Sequence, residues 1–235
     1  RYHKLAGMSG TIKEVRRELS GTYSTPIAKV PTHRPVQRKL LERHVFETAE
    51  QKLDWAIERA DRMAADGRSI LIGVSSVLLS EQVSDALTVV GRRHDVLNAR
   101  RLVEEADIVA DAGRAGRVTV VTNMAGRGTD IKLPQDVKDA GGLHVIILDT
   151  LDTSRLERQL YGRAGRQGDP GSYDIAHSLD EPELSRIIGK VVRKLISRIL
   201  VVSKPLAVRT HFPYVEWRRN RLEKHRRNRR MKLLK

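Results

Sequence analysis

Four short stretches, each with a continuous apolar centre rich in valine and isoleucine, constrain the fold of this 235-residue chain more than any other feature. They are SILIGVSS (69–76), RVTVVTN (117–123), LHVIILD (143–149) and YDIAHSL (173–179). A strand that lacks polar–apolar alternation is typical of a sheet buried on both faces, as parallel sheets are. Helical patterns separate these stretches, so the sequence predicts an α/β fold with a parallel sheet and flanking helices.

The predicted helices fill the gaps between the predicted strands. Apolar residues recur at helical spacing over residues 53–64, and Gly67 is a suitable stop for that helix. Ser80 is predicted to cap a helix that runs to Val90. Two further helices are predicted at 103–112 and 153–161.

The two ends of the chain differ from this pattern. Residues 1–40 contain VPTHRPVQRK and little periodicity, which predicts a connecting segment. Residues 185–235 hold 17 of the 44 lysines and arginines but 2 of the 29 acidic residues, so they carry the entire net charge of +15. The predicted domains are therefore 1–40, 41–184 and 185–235.

The basic segment begins with a predicted amphipathic helix at residues 186–202, in which apolar residues recur every four positions opposite a basic face. Pro205 and Pro213 are predicted to interrupt the pattern. A basic amphipathic helix is typical of segments that lie on anionic bilayers. The alternative is that its apolar stripe packs on the preceding domain and only the last basic residues remain exposed.

Composition excludes several classes of site. Without cysteine, the chain has neither disulfides nor a thiolate metal site, and its eight histidines lack metal-ligand spacing, so no metal site is predicted. No apolar run approaches the ~18 residues that a membrane-spanning helix needs.

The first motif with chemical content is VTVVTNMAGRGTDI, residues 118–131. A buried strand runs into a turn in which Gly126 and Gly128 flank Arg127, followed by Thr129 and Asp130. Ligands of open α/β sheets lie beyond the carboxyl ends of strands, which predicts a ligand site at this turn. Arginine suits a phosphate or a neighbouring domain, and the aspartate suits ribose hydroxyls; the alternative is that the two side chains pair with each other.

The second motif is QLYGRAGRQGDPGS, residues 159–172, in which Gln159 and Gly162 precede Arg163 and Arg166. Two arginines three residues apart share a face if the helix persists, so both would address one polyphosphate. Arginines aimed at a γ-phosphate stabilise the charge of the transferring group. Glycines in such a turn permit close approach of the backbone to a triphosphate.

Together with these motifs, LAGMSGT, PTHRP, VLNARR and GGLHVI occur in an order and spacing that resemble the SecA preprotein translocase ATPase family. The resemblance covers residues 4–184. A nucleic-acid helicase of the same superfamily shares the Gly-Arg-x-Gly-Arg core, but rarely the GMSGT and QGDPG sequences that accompany it here.

The resemblance implies a RecA-like second motor lobe of a superfamily 2 type ATPase, which closes over ATP bound mainly by a first lobe. Residues 1–40 would be the end of that first lobe with a connecting segment, 41–184 the second lobe, and 185–235 a basic helical extension similar to the start of the scaffold region. The implied catalytic residues are Arg163 and Arg166. The implied nucleotide-binding residues are Asp130, Arg127, Gly126, Gly128, Thr129, Gln159 and Gly162.

The same resemblance implies a cytoplasmic, peripherally membrane-associated ATPase that drives protein translocation. Its cofactors would be ATP and Mg²⁺, with the magnesium ligands on the first lobe. Its partners would be that lobe, a preprotein substrate and a membrane translocation channel, with anionic lipid as a further partner.

The sequence departs from the family pattern in two places. The family's Gly-Thr-Glu-Arg-His-Glu-Ser run is replaced by LDTLDTS, residues 148–154, and the asparagine of its PTNRP motif is His33. These changes put in doubt the coupling that the Glu-Arg-His set provides, whereas both arginine motifs are intact.

The chain contains neither a G-x-x-x-x-G-K-[ST] loop nor an Asp-Glu strand end for magnesium, so we expect it to be inactive as an ATPase by itself. Two alternatives to a translocation motor remain at this stage. A basic tail that binds phosphate backbones favours an RNA or DNA helicase lobe. The second alternative is a scaffold lobe that does not respond to nucleotide. The joint presence of Asp130, Arg163 and Arg166 argues against this alternative.

Overall fold

The computed structural model describes residues 6–10, 16–98, 105–122, 130–151 and 153–233. Within them, one six-stranded sheet has the order β1-β6-β5-β2-β4-β3, and all the paired strands are parallel. Its strands are Gln37–Phe46 (β1), Ile70–Val74 (β2), His94–Leu97 (β3), Val118–Thr122 (β4), Leu143–Ile147 (β5) and Pro170–Ser178 (β6). The predicted α/β fold with a parallel sheet is confirmed.

Helices connect and flank these strands. They are Arg16–Tyr23 (α1), Ala49–Ala65 (α2), Val77–Val89 (α3), Glu105–Asp111 (α4), Gln135–Asp139 (α5), Ser154–Tyr161 (α6), Pro182–Ile187 (α7), Lys190–Val202 (α8) and Lys204–Leu233 (α9). None of the helices in the described ranges is both long and apolar enough to span a membrane.

Both faces of the sheet are buried, which explains the continuous apolar runs. On β2, Ile70 and Ile72 face a core formed with α2 and α3, whereas Leu71 faces a second core that includes residues of α6, α7, α8 and α9. All five residues of β2, of β4 and of β5 are buried. The hydrophobic effect therefore acts on both sides of every central strand.

The two strands that sequence reasoning missed, β1 and β3, are the edges of the sheet. β1 is half-exposed along its length, with a register shift between Leu40 and Arg43. An edge strand has a neighbour on one side only and is partly exposed to solvent, so it does not need a continuous apolar run. It therefore lacks the pattern that predicted the central strands. The predicted boundary after residue 40 falls inside β1.

The start of α3 differs from the prediction. Its N-cap is Ser76, whose hydroxyl accepts a hydrogen bond from the Leu79 amide at 3.1 Å. Ser80 is fully buried within the helix and donates its hydroxyl proton to the Val77 carbonyl at 2.6 Å. The predicted Ser80 cap was wrong because Ser76, directly after β2, offers the same hydroxyl one turn earlier.

The basic segment forms three helices instead of one helix and an interrupted tail. The predicted 186–202 helix is divided at Ile188 and Gly189 between α7 and α8. Pro205 lies in the first turn of α9, where its missing N–H has no intrahelical acceptor to lose. Pro213 lies inside α9, so the prediction that it interrupts the helix was wrong. Its neighbours Phe212 and Val215 are buried in the core, and this packing offsets the lost hydrogen bond.

The middle of α9 is attached to the segment where the sequence departs from the family pattern. Arg219 forms an ion pair with Glu157 of α6 at 2.6 Å, and its guanidinium also lies 3.4 Å from the Leu151 carbonyl. Glu223 accepts a hydrogen bond from the Ser154 amide at the start of α6 at 3.1 Å. The 148–154 segment is thus held by one guanidinium and one carboxylate of α9.

Candidate functional site

The second arginine motif lies at the amino edge of the sheet. Helix α6 runs back antiparallel to the strands, so residues 162–169, the arginine loop, directly precede β6. Asp130 lies beside this loop: its Oδ1 accepts from Arg166 Nη1 at 3.0 Å and its Oδ2 accepts from Gln167 Nε2 at 2.8 Å. The sequence argument placed Asp130 in a turn beyond the carboxyl end of β4, whereas the structure places its carboxylate beside the loop that precedes β6.

The carboxyl edge near β5 and β6 is closed by a buried ionic network. Lys52 Nζ lies 2.6 Å from Glu181 Oε1 and 3.7 Å from Asp149 Oδ1, and it also donates to the Leu148 carbonyl. Glu181 accepts further bonds from the Thr150 amide at 3.0 Å and the Ser178 amide at 2.7 Å. Each of the three charged residues is at most 4% exposed, so these groups are unavailable to a ligand.

Three residues of the arginine loop adopt the left-handed backbone region: Gly165 at φ +64°, Gln167 at +53° and Gly168 at +82°. A Cβ on Gly165 would lie 3.0 Å from the backbone nitrogen of Arg38 on β1. Gly165 is therefore needed for close packing of the loop on β1. The close approach observed is to another strand of the same chain, whereas the sequence argument placed a triphosphate there.

The structure brings five of the predicted residues to one cleft. Asp130, Gln159, Gly162, Arg163 and Arg166 all line it. Arg163 is 8% exposed, whereas the Arg166 side chain is 42% exposed and the Asp130 side chain 37%. The remaining predicted residues, Gly126, Arg127, Gly128 and Thr129, lie outside the described residues.

The cleft has a volume of about 1030 Å³ and is strongly basic. Its described lining includes five arginines but a single carboxylate, Asp130; the arginines are Arg34, Arg38, Arg158, Arg163 and Arg166. Sequence reasoning missed three of them. Arg34 lies within the quoted PTHRP motif, so a signal existed for it, whereas Arg38 and Arg158 belong to no motif that marks them. Field lines from one sign of charge concentrate in such a cleft and attract anions.

A second polar chain lies inside the sheet, between β5 and β6. Arg68 donates to the Ser172 hydroxyl at 2.7 Å, that hydroxyl lies 2.8 Å from His144 Nδ1, and His144 Nε2 faces Asp174 Oδ2 at 3.2 Å. Asp174 also accepts from Arg59 Nε at 2.9 Å. The order serine–histidine–aspartate matches a hydrolase triad, but all three are at most 3% exposed, so no substrate reaches the hydroxyl.

Burial and charge determine the ionisation states in this chain. Burial lowers the pKa of His144, so the imidazole is neutral and one nitrogen accepts while the other donates. Burial by itself raises the pKa of Asp174, but the hydrogen bonds from His144 and Arg59 and the positive charge of Arg59 outweigh it, and the net pKa lies below the ordinary value. The arrangement fixes β5, β6 and α2 together.

A family model and curated relatives agree on the ancestry of the chain. The model described as the SecA P-loop domain matches residues 35–138 and 134–203. The protein translocase subunit SecA 2 of Nitrosospira multiformis is 47% identical over 197 residues, which are 84% of this chain and 30% of that protein. The protein translocase subunit SecA of Porphyromonas gingivalis is 43% identical over 198 residues, or 84% of this chain and 18% of the relative. The chain thus spans less than a third of the length of these relatives.

Among solved structures, the Escherichia coli DEAD-box protein SrmB bound to regulator of ribonuclease activity A superposes with a TM-score of 0.52 at 15% identity, over 65% of this chain and 85% of that one. This likeness shows a shared RecA-like fold. The family model and the identities with the curated relatives go further, and the chain belongs to the SecA family.

Proposed function

We propose that the chain is the second RecA-like lobe of a SecA-like, ATP-driven motor for protein translocation. One observation carries this proposal: Asp130 lines the same basic cleft as Gln159, Arg163 and Arg166 of the second motif. In the assembled motor the cleft would face a first lobe that provides the phosphate-binding loop and the magnesium ligands.

The residues of the cleft fit a nucleoside triphosphate. Five guanidinium groups against one carboxylate match the charge of a polyphosphate, and the volume of about 1030 Å³ accommodates a nucleotide. Bound ATP would supply the γ-phosphoryl group that is transferred to water. Arg163 and Arg166 would stabilise the charge that develops on that group in the transition state.

The two arginines of the loop differ in exposure and in hydrogen bonding. Arg163 is buried, so surrounding protein fixes its direction. Arg166 is more exposed and donates to Asp130 and, through Nε, to the Gly162 carbonyl at 3.2 Å. A ribose hydroxyl at Asp130 would take the place of a bond from Arg166 or Gln167, which releases a donor toward the phosphates. Nucleotide binding would therefore rearrange the Asp130 contacts.

The binding partners of the motor are proposed from its membership of the family. They are a preprotein, a membrane translocation channel and the first lobe, for a motor in the cytoplasm that attaches to the membrane peripherally. Anionic lipid would meet α8, where Val191, Leu195, Val201 and Val202 are exposed beside lysines and arginines. The packing alternative accounts for the opposite face of the basic segment, since Ile187, Ile188 and Ile196 are buried in the core.

The test is a chimaera in which this chain replaces the matching region of the Nitrosospira multiformis relative. Steady-state ATP hydrolysis and nucleotide affinity are measured for Arg163→Ala and Arg166→Ala. We expect kcat to fall by about 10³-fold or more, the lower end of the range for arginine fingers, with a much smaller change in affinity.

The matched control is Arg186→Ala, which removes an exposed arginine of α7 outside the cleft. Its kcat should stay within twofold of the parent chimaera. Equal losses of affinity and turnover in the two loop variants would refute the catalytic role, as would an active chimaera in which both retain full turnover.

A further inference from the structure

Arg38 of β1 is bonded to the middle of the arginine loop. Its Nη1 donates to the Ala164 carbonyl at 2.9 Å, and Ala164 lies between the two loop arginines in sequence. The guanidinium carbon lies 4.9 Å from the ring centroid of Tyr161, which stacks on Tyr173 of β6 at 4.5 Å. Arg38 therefore connects β1, the end of α6 and the loop through a planar group that stacks and donates at once.

Two neighbours of Arg38 hold further carbonyls of the same loop. Gln37 Nε2 donates to the Gly168 carbonyl at 2.8 Å, and Arg34 Nη1 donates to the Gln167 carbonyl at 3.3 Å. Each bond joins positions more than 130 residues apart. The segment before and at the start of β1 thus holds the loop by its backbone.

This attachment matters because the loop has little regular structure of its own. Three of its residues are in the left-handed region, and its internal backbone bonds are short-range turns such as Asp169 N to the Arg166 carbonyl at 2.9 Å. The direction of the arginine side chains depends on where this backbone lies. A displacement of about 1 Å in a reacting group can lower a rate about 100-fold.

We propose that Arg38 is a positioning residue, assisted by Gln37, that fixes the arginine loop so that Arg163 and Arg166 face the cleft. The inference rests on the proposed function, and it extends that function by assigning a role to the segment that leads into β1. A change in the position of residues 34–38 would move the loop arginines with it.

The first experiment uses the 235-residue chain and does not depend on ATP. Amide hydrogen exchange is measured at Arg163, Ala164 and Asp169, whose N–H groups are bonded within the loop and the end of α6. In Arg38→Ala we expect exchange at these amides to rise about 10-fold, the effect of losing one charge-assisted hydrogen bond. Arg38→Lys should recover only part of the protection, because lysine lacks the planar fork.

The control is Lys39→Ala, which removes the same charge from the next, exposed position of β1. Equal exchange in Arg38→Ala and Lys39→Ala overturns the proposal. If Arg38→Ala fails to fold, Gln37→Ala decides: faster exchange at Asp169 supports positioning, and unchanged exchange contradicts it.

The second experiment measures turnover in the chimaera described above. Arg38→Ala should lower kcat by about 10- to 100-fold with little change in KM. The kcat of Arg38→Lys should lie between that of Arg38→Ala and that of the parent chimaera. A rise in KM with unchanged kcat would instead mean that Arg38 contacts the nucleotide directly, which refutes positioning. If the parent chimaera does not hydrolyse ATP, the proposed function fails while the exchange result still decides the role of Arg38.

Discussion

A buried pair of histidines predicts how stability depends on pH. His177 of β6 and His211 of α9 are 2% and 0% exposed, and His177 Nδ1 lies 3.0 Å from His211 Nε2. Burial lowers the pKa of His211 from 6.5 to about 4. Burial lowers the pKa of His177 well below its ordinary value, and the nearby positive charges of Lys52, Arg219 and Arg43 lower it further.

The direction of these pKa shifts determines whether stability rises or falls with pH. In the unfolded chain each histidine gains a proton near pH 6.5, whereas in the folded protein His211 stays neutral until about pH 4. Stability is therefore complete above about pH 7.5 and is lost as the pH falls from 6.5 toward 4. For His211 alone, the loss between pH 7.5 and pH 5 is about 2 kcal/mol, since one pKa unit corresponds to about 1.4 kcal/mol.

The assay is urea unfolding of the chain at several pH values between 5 and 7.5, comparing the parent with His211→Gln. Glutamine keeps an amide near His177 but does not titrate, so its stability should decline by about 2 kcal/mol less over this range. Carboxylates and the remaining histidines titrate in both proteins and largely cancel in the comparison. Parallel stability–pH curves for the two proteins would refute the reasoning.

Other outcomes follow from the buried ions and the cleft. Lys52→Met leaves Glu181 and Asp149 buried without their cation, so it should lower the free energy of unfolding by about 3–5 kcal/mol at pH 7. Adding Glu181→Gln should recover part of this loss, and no recovery would mean that Lys52 and Glu181 are not coupled. Asp130→Ala in the chimaera should raise the nucleotide dissociation constant more than it lowers kcat, because a ribose contact is similar in the ground and transition states; a kcat effect alone would exclude this role. The 235-residue chain by itself should not hydrolyse ATP, and turnover abolished by Arg166→Ala would contradict that expectation.

The parts of the fold that sequence predicted are those in which burial leaves a pattern. β2, β4 and β5 are buried along their whole length, and their Val–Ile runs located them to within two residues. β1 and β3 were not predicted because edge strands contain both polar and apolar residues without a continuous apolar run. Pro213 was taken as a break because local propensity was weighed without the packing of Phe212 and Val215, which is a tertiary effect.

The site was predictable by residue type but not by place. Glycine–arginine spacing singled out Arg163 and Arg166, the family resemblance singled out Asp130, and all three line the cleft. That these groups meet at the amino edge depends on the antiparallel return of α6, and no local pattern encodes it. Arg38 and Arg158 enter the cleft only through tertiary contacts, so a single sequence gives no reason to select them from the other arginines.

The position of β1 at the edge also constrains how the chain folds as it is synthesised. Gln37 pairs with Pro170, so β1 leaves the ribosome long before its partner β6 exists. At typical elongation rates this interval is on the order of 10 s. An unpaired apolar strand would be an aggregation hazard throughout that time. The charged side chains of QRKLLERHVF oppose such association while the nascent strand is unpaired.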